Sequence, residues 1–128
     1  MLYMNTLYVQ NEFIMRRKMK IAVVGSRKLT NVAVDKYIPK EADEIVSGAA
    51  VGVDSFAAEY ALKKGLSLTE FLPEYKRYGR AAPIVRNKQI VDYADKVIVF
   101  WDGSSKGTLS VIKYAEKIGK PIEVVFCK

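Results

Sequence analysis

The chain has 128 residues, half of them apolar and 27% charged, which suits one domain burying roughly two thirds of its unfolded surface. It has no histidine and a single cysteine, Cys127, so histidine-based triads, the common zinc sites and an internal disulfide framework are excluded. A formal charge of +7 favours anionic partners, and no apolar run reaches the length of a membrane span. The chain is therefore expected in the cytoplasm, with no metal, no cofactor and no membrane partner.

Residues 1–18 read as an N-terminal extension and residues 19–128 as a single domain. In the extension Leu2, Leu7, Val9, Phe13 and Ile14 follow neither a period of 2 nor one of 3.6. A short strand over residues 7–9 and a true start at Met15 or Met19 both stay open. Residues 21–24 form an apolar run closed by Gly25, the pattern of a strand covered on both faces. Gly25, Ser26 and Arg27 then turn the chain. Thr30 or Asn31 caps a first helix that reaches about Tyr37, and Pro39 helps to stop it. A hydroxyl at Ser26 and a planar guanidinium at Arg27, beside backbone donors, suit a phosphate.

Residues 44–46 give a second strand, followed by the small-residue turn Ser47-Gly48-Ala49-Ala50-Val51-Gly52-Val53. Such a turn offers backbone N–H groups rather than side chains, as an anion cradle or as a tight bend packed on a neighbour. Asp54 opens a second helix, either as its N-cap or as an acceptor for a ribose or base donor. Phe56, Ala57, Tyr60, Ala61 and Lys64 share one face of it, and Gly65 closes it. Residues 66–72 form the third strand, ended by Pro73.

Residues 73–87 then carry Lys76, Arg77, Arg80 and Arg86 interleaved with Tyr75 and Tyr78. This mixture stacks bases and neutralises phosphates, or else it is an exposed loop anchored to the core by its tyrosines. A third helix runs from about Pro83 to Tyr93, with Arg86 and Asn87 near its start. Residues 97–101 are the fourth strand. Asp102, Gly103, Ser104, Ser105, Lys106, Gly107 and Thr108 make a second small-residue loop. Leu109, Ile112, Ala115 and Ile118 mark a fourth helix closed by Gly119, and residues 122–126 form the last strand, with Cys127 as a buried thiol beside it.

Short strands alternating with helices imply an α/β domain with a mainly parallel five-stranded sheet, and right-handed crossovers favour the order 3-2-1-4-5. That order brings the three glycine-bearing turns to one crevice at the carboxyl ends of the strands. The first contributes Gly25, Ser26 and Arg27, and the second Ser47, Gly48, Gly52 and Asp54. The third adds Asp102, Gly103, Ser104, Gly107 and Thr108, with Arg86 and Asn87 from the third helix. Backbone N–H groups, the hydroxyls including Ser105, and charge from Arg27 with Lys106 or Arg86 suit a phosphorylated sugar or nucleotide. No Gly-Lys-Ser/Thr ending and no dinucleotide fingerprint after strand 1 occur, which argues against an ATPase or a dehydrogenase. Asp54, Glu59 and Asp102 are the carboxylates nearest the mouth; each has a plain role as cap, turn or surface charge, and Asp54 is the catalytic candidate.

Gly25-Ser26-Arg27 and Ser47-Gly48-Ala49-Ala50-Val51-Gly52-Val53-Asp54, with Ala57 following, resemble the core of the SLOG superfamily. That superfamily unites the DNA-processing protein Smf/DprA, the LOG phosphoribohydrolases and small YspA-like proteins. Gly79, Pro83, Arg86-Asn87, Asp95 and Gly107-Thr108 look most like the YspA-like branch, and the resemblance runs from about Lys20 to Val125. It implies a Rossmann-like three-layer sandwich that binds nucleotides, nucleotide-derived signals or nucleic acid, with a homodimer as the family habit. LOG-like enzymes carry a catalytic glutamate after their Gly-Thr; here Val111 stands in its place, and the double glycine before it is missing. The resemblance therefore implies a binder of a nucleotide or nucleotide-like phosphate ligand, with a sensor as the role such a binder would serve. Nucleotide N-glycosidic bond cleavage or transfer and single-stranded nucleic-acid binding are its alternatives.

Overall fold

The structure is a computed structural model that describes residues 18–48 and 52–127. The expected extension up to residue 17, its short strand and the apex of the second turn at residues 49–51 lie outside the described residues.

Side-chain alternation in β1 (Lys20–Gly25) sets the architecture, because a central parallel strand must satisfy an apolar layer on each face. Ile21 and Val23 point into one core with Ile45, Ile98 and Phe100. Ala22 points into the other with Val46, Val97 and Val99. The remaining strands are β2 (Glu44–Ser47), β3 (Ser67–Glu70), β4 (Lys96–Trp101) and β5 (Ile122–Phe126). Among the described residues all four pairings are parallel, and the order is β3-β2-β1-β4-β5. This is the expected topology.

Among the described residues four α-helical segments follow the strands: α1 (Val53–Lys64), the single turn α2 (Tyr75–Tyr78), α3 (Ala82–Tyr93) and α4 (Lys106–Ile118). Helix α1 covers the first face through Val53, Ala57 and Ala61. Helices α3 and α4 cover the second through Ile90, Val91, Val111, Ile112 and Ala115, with Ala94 just past the end of α3. The result is a Rossmann-like three-layer sandwich. Among the described residues no helix is long and apolar enough to cross a membrane.

The first helix is the main departure from expectation. Between β1 and β2 the chain makes only one 3-10 turn, Val34–Lys36, whose N-cap residue Ala33 supplies no side-chain acceptor. Helix nucleation is costly, and the β-branched Val32 and Val34 lose rotamer freedom in a helix, so a segment this short stays irregular. Its apolar side chains Leu29, Val34 and Ile38 are nonetheless buried. The basic segment after β3 departs the other way: it is folded into α2 and a 3-10 turn, Gly79–Ala81. Cys127 follows β5 and is half-buried rather than buried, with its N–H donated to the Trp101 carbonyl at 2.7 Å.

Candidate functional site

The carboxyl ends of β1, β2 and β4 open into one cleft of about 410 Å³. Eight expected residues line it: Gly25, Arg27, Gly48, Asp54, Arg86, Asn87, Gly107 and Thr108. Val24, Tyr75, Pro83, Ile90 and Ser105 complete the wall. Two further hollows, of about 300 and 910 Å³, flank the 3-10 turn between β1 and β2 and contain none of the expected binding residues. Glu59 lines the larger of them and so stands apart from the cleft.

Gly25 ends β1 where the start of α1 comes closest to the sheet. A Cβ there would lie 2.3 Å from Val53 Cγ2, so the missing side chain lets helix and strand pack. Gly52 occupies the N-cap of α1 with φ +78°, and a Cβ would meet the Leu29 carbonyl at 2.9 Å. Asp54, expected as the cap, therefore sits inside the first turn. The residue is buried, at 8% exposure, and stays within the cleft wall. An acidic side chain there complements the positive end of the helix.

Arg86 ties the floor of the cleft together. Its Nη1 donates to the Gly48 carbonyl at 2.9 Å and the Phe71 carbonyl at 3.3 Å, the chain ends that leave β2 and β3. Its Nε donates to Asn87 Oδ1 at 2.9 Å. A Cβ on Gly48 would fall 2.8 Å from Arg86 Nη1 and 3.2 Å from Asp54 Oδ2, so glycine at 48 lets guanidinium and carboxylate share this corner. Partial burial lowers the Arg86 pKa; Asp54 and then Tyr75 act against that, and Arg27 adds to it. A guanidinium keeps its charge through such a shift.

The other wall is the start of α4. Ser105 is the N-cap: its Oγ accepts from Thr108 N at 3.3 Å and donates to Thr108 Oγ1 at 3.1 Å. Asp102 prepares this cap, its Oδ1 accepting from the amides of Ser104 at 2.9 Å and Ser105 at 2.8 Å. Those amides hold the Asp102 carboxyl below its ordinary pKa. Ser26 is buried behind the wall, its Oγ 3.3 Å from Thr108 Oγ1 and accepting from Asp102 N at 3.3 Å. Asn87 Nδ2 reaches the Gly107 carbonyl at 3.4 Å and Ser110 Oγ at 3.5 Å, linking α3 to α4.

Six expected residues thus stand outside the cleft lining. Ser26, Asp102 and Ser104 build the loop that presents α4. Ser47 is buried at the end of β2, its carbonyl accepting from Phe71 N at 2.9 Å. Gly52 shapes the α1 cap, and Gly103, with φ +87°, would place a Cβ 2.7 Å from Phe126 Cε1. Lys106 is exposed and does not line the cleft. Ser105 carries the cap that the sequence pattern contained, a serine three residues before Thr108. Val24 and Ile90 gave no signal as lining residues, because apolar residues at strand and helix positions read as core. Among the described residues no group of three or more metal-ligating side chains stands together.

Residues 3–67 match the family model described as DNA recombination-mediator protein A, a span that ends where β3 begins. No curated protein and no solved structure matches the chain.

Proposed function

Because the chain belongs to the DNA recombination-mediator protein A family and has an anion-suited cleft, we propose that it binds a nucleotide or nucleotide-like phosphate ligand there. The phosphate lies at the start of α4, with Arg27 at the rim. Lys106 and Gly107 are exposed in the first turn of α4, and the positive helix end favours an anion there.

Gly107 is the observation that carries this reading. Every other glycine has a reason inside the fold: positive φ at five positions, and crowding at Gly25 and Gly48. Gly107 has neither, since it lies in the first turn of α4 and an added Cβ would meet nothing within 4 Å. Alanine would suit the helix better by up to about 1 kcal/mol. A bound group approaching the backbone accounts for the glycine.

Gly107→Ala should therefore keep or raise the melting temperature while weakening ligand binding at least tenfold. The check is a thermal-shift and calorimetric titration against nucleoside mono- and diphosphates and ADP-ribose, with Arg27→Ala as a second binding-deficient variant. Unchanged affinity in Gly107→Ala would remove the support for a phosphate at α4.

The family favours one second reading, in which the ligand is part of a single nucleic-acid strand. Lys76, Arg77 and Arg80 are exposed on the segment that borders the cleft through Tyr75. Glycosidic-bond cleavage has less behind it. Val111, in the place where the LOG-like hydrolases carry glutamate, has no exposure and packs in the core under α4.

A further inference from the structure

The cleft has two chemically different ends, with the hydrogen-bonded pair Arg86 and Asn87 between them. On one side the Asn87 amide reaches Gly107 and Ser110 on α4. On the other the Arg86 guanidinium is held by carbonyls that follow β2 and β3. The sheet order separates these ends, because β1 lies between β2 and β4. Polar groups crowd the α4 end, whereas Tyr75, four residues past Phe71, and Pro83 add ring surface to the wall.

Core packing does not explain Tyr75. Its side of the molecule is α2, a helix with no buried residue, and Tyr75 itself is 58% exposed. Tyr78, the other tyrosine of the segment, is used differently: its ring lies 5.3 Å from the Arg77 guanidinium, and it does not line the cleft. A large ring left open to water at a cleft wall is a surface that a flat ligand group can cover.

We infer that Tyr75 is the base-stacking residue of this cleft, so that the ligand is a base-bearing nucleotide rather than a bare sugar phosphate. This rests on the phosphate site proposed at α4. With the phosphate there, the base extends past Arg86 onto the Tyr75 ring. Stacking uses the ring face and not the hydroxyl, so phenylalanine is an adequate replacement and alanine is not.

The test is calorimetric titration of the full chain and its Tyr75→Ala and Tyr75→Phe variants with ribose 5-phosphate and the four nucleoside monophosphates. In the unaltered chain the tightest nucleotide should bind about tenfold more tightly than ribose 5-phosphate, within the range that base–aromatic stacking supplies. Tyr75→Ala should abolish that difference while leaving ribose 5-phosphate affinity unchanged, and Tyr75→Phe should retain it. Equal losses for both ligand types in Tyr75→Ala, or a Tyr75→Phe variant that behaves like alanine, would overturn the stacking role and point to action through Arg86. No loss in either variant would also overturn it. Failure of the unaltered chain to bind any of the five ligands would instead defeat the phosphate site itself, and the inference would fall with it. Since Tyr75 contributes nothing to the core, both variants should melt like the parent.

Discussion

Asp102 spends its charge on the loop before α4. Its carboxylate accepts from two successive amides, and those bonds hold its pKa below the ordinary carboxylate range. A depressed folded pKa contributes stability that is complete above the unfolded value of about 3.9 and is lost as pH falls through the folded one. Asp102→Asn should therefore be less stable than the parent at neutral pH, with the gap closing as pH drops below about 4; melting temperatures of both proteins across pH check this. A gap that did not narrow would mean the carboxylate charge is not what the amides need.

Glycine at 25 reads in the sequence as a ligand contact, but its local pattern is also that of packing. The neighbour that decides, Val53, is 28 residues away and visible only once α1 is folded against β1. Gly107 reads alike and differs in space. Residue type and local spacing therefore located the turns, while the reason for each glycine came from contacts distant in sequence.

Helix α4 owes its start to one side chain. Ser105 satisfies Thr108 N, an amide that no helical carbonyl can reach, and its own carbonyl accepts from Trp101 Nε1 at 3.1 Å. Ser105→Ala should lower unfolding free energy by about 1 kcal/mol in urea titration. A change indistinguishable from zero would mean that Thr108 N finds another acceptor. Helices α1, α3 and α4 were legible because each runs for three turns or more with apolar residues on one side and a terminal signal, a closing glycine for α1 and α4 and an opening Pro83 for α3. The four residues of α2 are too few to express a helical period, and the first crossover misled because cap and stop signals enclosed a segment that never nucleates. The strand order placed Gly48, Asp54 and Arg86 at one crevice, but the close corner they form was not legible, since side chains and backbone of three different elements set it.

Across the whole molecule the excess of positive charge, +7, bears on the choice between a mononucleotide and a strand. Reversing Lys76, Arg77 and Arg80 to glutamate should weaken a single-stranded oligonucleotide more than a nucleoside monophosphate. It should also flatten the dependence of oligonucleotide affinity on salt concentration, because fewer counterions are then released. Fluorescence anisotropy at several salt concentrations measures both, and equal losses for the two ligands would count against a strand. The sheet order was legible at this scale because crossover handedness and strand spacing leave few alternatives.

That order also has a consequence for how the chain is made. Strand β1 pairs with β2 on one edge and with β4 on the other, from Ile21 opposite Lys96 to Gly25 opposite Phe100. On the ribosome, β2 and β3 emerge early enough to begin a three-stranded half. The second edge of β1 must then stay bare until Trp101 has left the exit tunnel. A nascent chain halted before that point carries an open central strand, the kind of edge on which a neighbouring nascent chain can add.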